Sequence, residues 1–157
     1  MVHSPWGMTK LPGCCHMVDL FLESSARVEL QEAETLEWAW SRLVKVPFIG
    51  PFTAYEIVSD LRWTCVLEHA TDINSWANPG PGCMRGLSHL TGEPVDMKKA
   101  ARAEYIALMR QLLRCSRSKT NWSHAAWEMR EVEHWLCEFD KYIRGTQGGR
   151  LKRRFKP

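Results

Sequence analysis

The stretch LVKVPFIGPFTAYEIVSDL, residues 43–61, decides how the rest of the chain is read. Apolar residues recur at helical spacing on either side of VPFIGP, and that short run breaks the period. Upstream, Leu30, Leu36, Ala39, Trp40, Leu43 and Val44 mark one face of a helix over roughly Glu32–Lys45. Downstream, Ala54, Ile57, Val58 and Leu61 mark a second, over about Phe52–Leu61. A proline in the turn stops the first helix, and Gly50 stands where a side chain would obstruct close approach. Pro51 suits the start of the second helix, because its missing N–H would be unpaired in any case. The exposed amides at that helix start carry positive partial charge and suit a phosphate. Lys45 beside the turn adds a point charge. A helix corner with no ligand is the bland alternative.

Working outward, RGLSHLTG (85–92) reads as a short helix closed by Gly92. A fourth helix starts near Asp96, with Ala100, Ala101, Tyr105, Leu108, Met109, Leu112 and Leu113 on one side. The last runs from Ser123 to about Arg144, carrying Trp127, Val132, Trp135, Leu136, Phe139 and Tyr142, before GTQGG and a basic tail. No alternating strand pattern is long enough to count, so the expected class is all-α. The expected organisation is a partly irregular segment over 1–30, a helical domain over 31–144 and a tail over 145–157.

Composition narrows the function classes. At 157 residues, 45% hydrophobic and 25% charged, the chain is an ordinary globular length and mixture. No run of about 18 apolar residues exists, which argues against a membrane-spanning helix, and the first twenty residues do not form a secretory signal. The six cysteines lack a CxxC pair and read as reduced thiols in a cytoplasmic protein. Cys14-Cys15-His16 has no second ligand pair at zinc-site spacing, so no metal is expected. The net charge of +3 hides an asymmetry. Residues 141–157 hold seven Lys and Arg and no acid, so the first 140 residues sum to −4. A basic tail on an acidic body suggests a polyanion; a tail that merely aids solubility is the alternative. Of the eight tryptophans, most are expected in the core, and one or two at a cleft edge could stack a nucleobase.

Asp72 lies in DINSWANPGPGCMRG, residues 72–86, twenty positions after Phe52. By itself it reads as an N-cap for a short helix containing Ser75 and Trp76. The hairpin with a following aspartate resembles the helix-hairpin-helix DNA glycosylase superfamily, in which the hairpin grips a DNA backbone and the aspartate faces a flipped nucleotide. On that resemblance Lys45, Phe48, Ile49 and Gly50 are DNA contacts. The chain departs from it in three places. Phe52 stands where strand-cleaving members carry a lysine nucleophile, which argues against a Schiff base. The iron–sulfur cysteine loop is absent, and Phe48 replaces a glycine of the turn.

PFIGPFTAYEIVSDLRWT, DINSWANPGPGCMRGL and EHWLCEFDKYIRG followed by GGRLKRRF resemble the alpha-glutamyl/putrescinyl thymine pyrophosphorylase family, over about Leu36–Phe155. That family is one of phage and bacterial proteins of glycosylase-like fold associated with hypermodified thymine. Larger members carry a further N-terminal helical region, which a partner subunit could supply. The resemblance implies a transferase. An amine from an amino acid or polyamine attacks a thymine bearing pyrophosphate on its 5-methyl carbon, and pyrophosphate leaves, with no cofactor. The base must be flipped out, the ammonium deprotonated and the leaving group stabilised. Asp72 is then the candidate base, Asn74 a hydrogen-bonding partner of the pyrimidine edge, and Arg85 a pyrophosphate ligand.

His134, Glu138 and Lys141 fall on one helical face by offsets of four and three, and Glu133 pairs by spacing with Cys137. Taken alone this is a helix with charge pairs. The resemblance favours His134 and Glu138 as catalytic and Lys141 as a phosphate ligand. Arg150, Arg153 and Arg154 of the tail are expected on DNA phosphates or pyrophosphate. Two other readings stay open: a monofunctional DNA glycosylase, and a non-catalytic DNA-binding module.

Overall fold

The computed structural model describes residues 7–96, 102–119 and 127–148. Among these the regular elements are helices, as expected for an all-α chain. In order they are α1 (Lys10–Glu23), α2 (Ala26–Glu29), a 3₁₀ turn (Leu30–Glu32), α3 (Leu36–Leu43), α4 (Pro51–Leu61), α5 (Pro81–Thr91), α6 (Arg102–Lys119) and α7 (Met129–Thr146). They form two compact units divided between Asn78 and Pro79. The stretch 31–144 therefore spans both.

The first unit is built on the α3–α4 hairpin. Ala39, Leu43, Ala54 and Val58 meet in its core, each almost wholly buried. The first helix of the hairpin starts at Leu36 rather than Glu32, because Thr35 ends the preceding turn as N-cap and its hydroxyl accepts from the Trp38 N–H. The second begins at Pro51, with Gly50 as N-cap and proline in the first turn. The N-terminal segment is more regular than its Pro12–Gly13 pair suggests. Both residues sit in the first turn of α1, where proline is tolerated.

Two tryptophans brace the hairpin from beneath. Trp40 donates its indole N–H to the Pro51 carbonyl, 3.0 Å, and the Asn78 amide reaches the same oxygen at 3.3 Å. Trp76, from the 72–86 stretch, lies with its ring 6.0 Å from that of Trp40 and 5.7 Å from that of Tyr55. These edge and tilted contacts fix the turn to the helices that carry it.

Phe48 adopts φ 67°, the left-handed region that costs a residue with a Cβ roughly 1–2 kcal/mol. That explains why a glycine is the usual occupant of such a turn. The ordinary order of substitutions should therefore invert here: Phe48→Gly should be more stable than Phe48→Ala by about 1 kcal/mol. Urea melts of the two variants check this, and an alanine variant equal to or above the glycine variant would count against strain.

In the second unit α5 lies directly on α7, with α6 against both. The α5 helix runs one turn further back than RGLSHLTG implies, starting at Pro81 behind Gly80. Its end is as expected, Gly92 in the left-handed conformation at φ 77°. A capping box starts α7: Glu131 takes the Glu128 N–H at 2.9 Å, and Glu128 returns the contact. Trp127 and Glu128 are thus outside the helix expected from Ser123. Close approach of α5 and α7 is set by glycine. A Cβ at Gly86 would collide with the Leu136 carbonyl oxygen and lie 2.9 Å from its carbon.

Candidate functional site

The hairpin turn offers a concave surface lined by residues 44–53, about 490 Å³ in volume. The N-cap of α4 is Gly50, which makes no side-chain capping bond, and the amides of the first turn have no carbonyl four places back within the helix. A Cβ at Gly50 would meet nothing within 4 Å. The space beyond Gly50 is therefore open to an incoming group and serves no internal packing. Lys45 and Phe48 are exposed beside it, as is Phe52, at 66%.

Ile49 is different. Its side chain is buried and lines an apolar cavity of about 250 Å³ with Met17, Phe21 and Leu43, while its N–H is donated to the Val46 carbonyl at 3.1 Å. An apolar side chain in a turn gains more from the core than from water. Ile49 anchors the turn and does not present a side chain to a backbone phosphate.

Asp72 does cap a helix, but not the one beside it. Residues 71–75 form turns, in which the Ser75 and Trp76 N–H groups both bond the Asp72 carbonyl at 2.9 Å. The carboxylate instead reaches back to the start of α3. One oxygen accepts from the Leu36 N–H at 2.7 Å and the other from Glu37 at 2.9 Å. Thr71 N–H to the Glu34 carbonyl, 3.0 Å, completes the clasp. Both oxygens are therefore engaged with helix-start amides that would otherwise lack partners. Asn74 is exposed nearby.

The second unit holds a charge cluster that the sequence reading did not assemble. Asp140 on α7 is fully buried, and its carboxylate is bidentate with Arg85: Nε to both oxygens at 3.1 and 3.2 Å, and a terminal nitrogen at 3.0 Å. Arg144 Nε lies at 3.1 Å and His89 Nε2 at 3.4 Å. Burial raises the Asp140 pKa, and the hydrogen bonds and charges of Arg85 and Arg144 outweigh it, holding the carboxyl below its ordinary 3.8. One acid thus orients two arginines and a histidine, which leaves positive charge in excess. Arg85, expected at a helix start as a pyrophosphate ligand, sits in the second turn of α5 with one edge already occupied by a carboxylate.

Elsewhere on α7, Lys141 pairs with Glu138 on the exposed surface. His134 Nε2 is 3.9 Å from Glu133, an acid on the neighbouring face. Glu133 is buried, and its Oε1 accepts from the Cys137 thiol at 3.3 Å and the Gly80 N–H at 3.4 Å. The pairing of Glu133 with Cys137 is as spaced. Burial, then Glu133, pushes the Cys137 thiol up to about 12, and burial pushes Cys83 higher still. Both shifts disfavour the thiolate form that a nucleophile requires. Among the described residues no group of three His, Cys, Asp or Glu is placed to hold a metal ion, and no helix is long and apolar enough to cross a membrane. Arg150, Arg153 and Arg154 lie outside the described residues. Asp72 and Asn74 fall in the first unit, and Arg85, His134, Glu138 and Lys141 in the second.

Comparison with known proteins places the chain in a family. The 5-hmdU DNA kinase of Bacillus phage SP10 is 21% identical over 150 residues, an alignment covering 85% of this chain and 23% of the relative. The chain thus spans under a quarter of that relative's length. No solved structure matches significantly. The family model described as the helical domain of 5-hmdU DNA kinase matches residues 7–149, nearly the whole chain. The chain belongs to that family, described as the helical domain of 5-hmdU DNA kinase.

Proposed function

We propose that this chain is the DNA-handling element of an enzyme system that modifies 5-hydroxymethyluracil in DNA, gripping the backbone at the α3–α4 hairpin. The observation that carries the reading is the uncapped start of α4, open beyond Gly50 and flanked by exposed Lys45, in a domain of this family. Backbone amides and a lysine suit a phosphate without reading sequence. The 157 residues contain no G-x-x-x-x-G-K-[ST] loop, so their chemistry suits binding of DNA better than transfer of a nucleotide's phosphate.

The test is binding of the full chain to a duplex containing 5-hydroxymethyluracil across a salt series. Affinity should fall steeply with salt, and Lys45→Ala should weaken it and reduce the salt slope by about one. Binding indifferent to both salt and Lys45 would remove the reading.

A second reading has its own support in the cations around Asp140. Arg85, Arg144 and His89 suit the oxygens of a departing pyrophosphate, as in transfer of an amino acid or polyamine to a pyrophosphorylated base. In that reaction His134 and Glu138, in the same unit as the cations, are the candidate bases for the attacking ammonium. Asp72 keeps its helix-capping task, and Asn74 remains a candidate partner for the pyrimidine. Lys141 and the tail arginines Arg150, Arg153 and Arg154 would add cations. Nucleosides recovered after incubation with candidate amines should gain the amine's mass. A lost base would favour glycosylase chemistry instead, and unchanged nucleosides would leave binding alone.

A further inference from the structure

Three exposed or half-exposed aromatics recur along α7 at offsets of four and three: Trp135, Phe139 and Tyr142. Trp135 and Phe139 are stacked, ring centres 5.2 Å apart and planes within 5°. Trp135 nonetheless remains 44% exposed and Tyr142 68%. Large flat rings left in water cost free energy unless a partner covers them.

This aromatic pair is continuous with the charge cluster. His89 meets Phe139 edge-on at 6.2 Å and meets Asp140 through Nε2 at 3.4 Å. Asp140 in turn holds Arg85 and Arg144, whose side chains are still 43% and 42% exposed. The acid on the outer surface beside the rings, Glu138, is neutralised by Lys141. A flat hydrophobic surface therefore adjoins two anchored guanidinium groups with solvent access. A base and its phosphate present that same pair of chemistries, joined by a sugar.

We propose that α7 and α5 form a site for an unstacked nucleotide of single-stranded or locally opened DNA. Its base lies on Trp135, and its phosphate is taken by Arg85 and Arg144. Asp140 is the positioning residue, since it fixes both arginines without itself facing the ligand. Any base has a flat face, so the site tolerates sequence and requires that the base leave the duplex stack. The inference rests on the DNA-handling reading but uses a surface separate in sequence from the hairpin.

The experiment measures binding of the full chain to a labelled oligothymidylate and, in parallel, to a blunt duplex. Trp135→Ala should weaken oligothymidylate binding about tenfold, the loss of one base stack. It should leave duplex affinity within about twofold, and Trp135→Phe should recover most of the loss. Lys45→Ala should do the reverse, weakening the duplex alone. The site is overturned if Trp135→Ala leaves oligothymidylate binding unchanged or weakens both ligands alike. It is overturned too if the variant's main effect is a change in oligomeric state. Wild-type chain that binds duplex but not oligothymidylate would remove this site and keep the DNA reading. Binding of neither would remove both.

Discussion

Gly86→Ala is expected to destabilise the second unit by about 3 kcal/mol, the largest effect of an added methyl group at any described glycine. Helix propensity alone predicts the opposite sign, since alanine in a helix interior gains about 1 kcal/mol over glycine. Geometry decides against propensity. The added Cβ would meet the Leu136 carbonyl oxygen and lie 2.9 Å from the carbonyl carbon and 3.1 Å from the Leu136 Cβ. Two of these three atoms are backbone of α7, which cannot rotate away, so α5 and α7 must separate. Cys83, Leu87, Val132 and Leu136 would lose contact together. Gly82→Ala supplies the contrast. Its Cβ would lie 3.1 Å from the Cys137 sulfur, the end of a side chain, and a smaller loss should follow. Urea melts should rank wild type, Gly82→Ala and Gly86→Ala in that order. A Gly86→Ala variant as stable as wild type would disprove the close crossing.

Asp140→Ala should cost about 2–3 kcal/mol. Removing one partner from a fully buried ion pair costs about 3–5 kcal/mol, because the other charge is stranded. Here Arg85 and Arg144 are each over 40% exposed and regain water, so the cost falls at or below the lower end of that range. The pH dependence has a definite sign. The folded-state pKa of Asp140 lies below its ordinary 3.8, so its contribution is fully present above that value. It is lost as pH falls through 3.8 and on through the folded-state pKa. Wild type should therefore lose stability on acidification faster than Asp140→Asn, which has no carboxylate to protonate. Parallel acid limbs for the two proteins would show that the buried acid is not coupled to its arginines.

The sequence makes the hairpin legible because its signals are local. Pro51 and Gly50 act on their own backbone, and Gly92 closes α5 by its own φ. The start of α7 differs from the expected Ser123 for a local reason too: its capping box uses Glu128 where a serine or threonine is the usual signal. Asp140 is harder to read. It follows Val132 and Leu136 at offsets of four, so the buried face of α7 could be traced to it. The Arg85 that makes burial tolerable, however, comes from another helix, 55 positions away. His134, Glu138 and Lys141 share a face by the same offset rule, and the structure places Glu138 and Lys141 on the solvated surface. A shared helical face does not say which face is covered. Asp72 is the limiting case. Its local sequence suggests an N-cap for a short helix containing Ser75 and Trp76, and no spacing rule connects it to Leu36.

That connection reaches across 36 positions and encloses the whole hairpin. Helix-start amides ordinarily exchange their protons freely, since no residue four places back accepts from them. Leu36 and Glu37 instead donate to a carboxylate that arrives only when the intervening chain has returned. Their protection depends on closure of a long loop rather than on local fraying. A contact of this range forms only after the entropy of closing the intervening loop has been met. Asp72 thus acts as a latch across the base of the α3–α4 hairpin. Its release would let the first turn of α3 fray, while the tryptophan braces beneath the hairpin turn stayed in place.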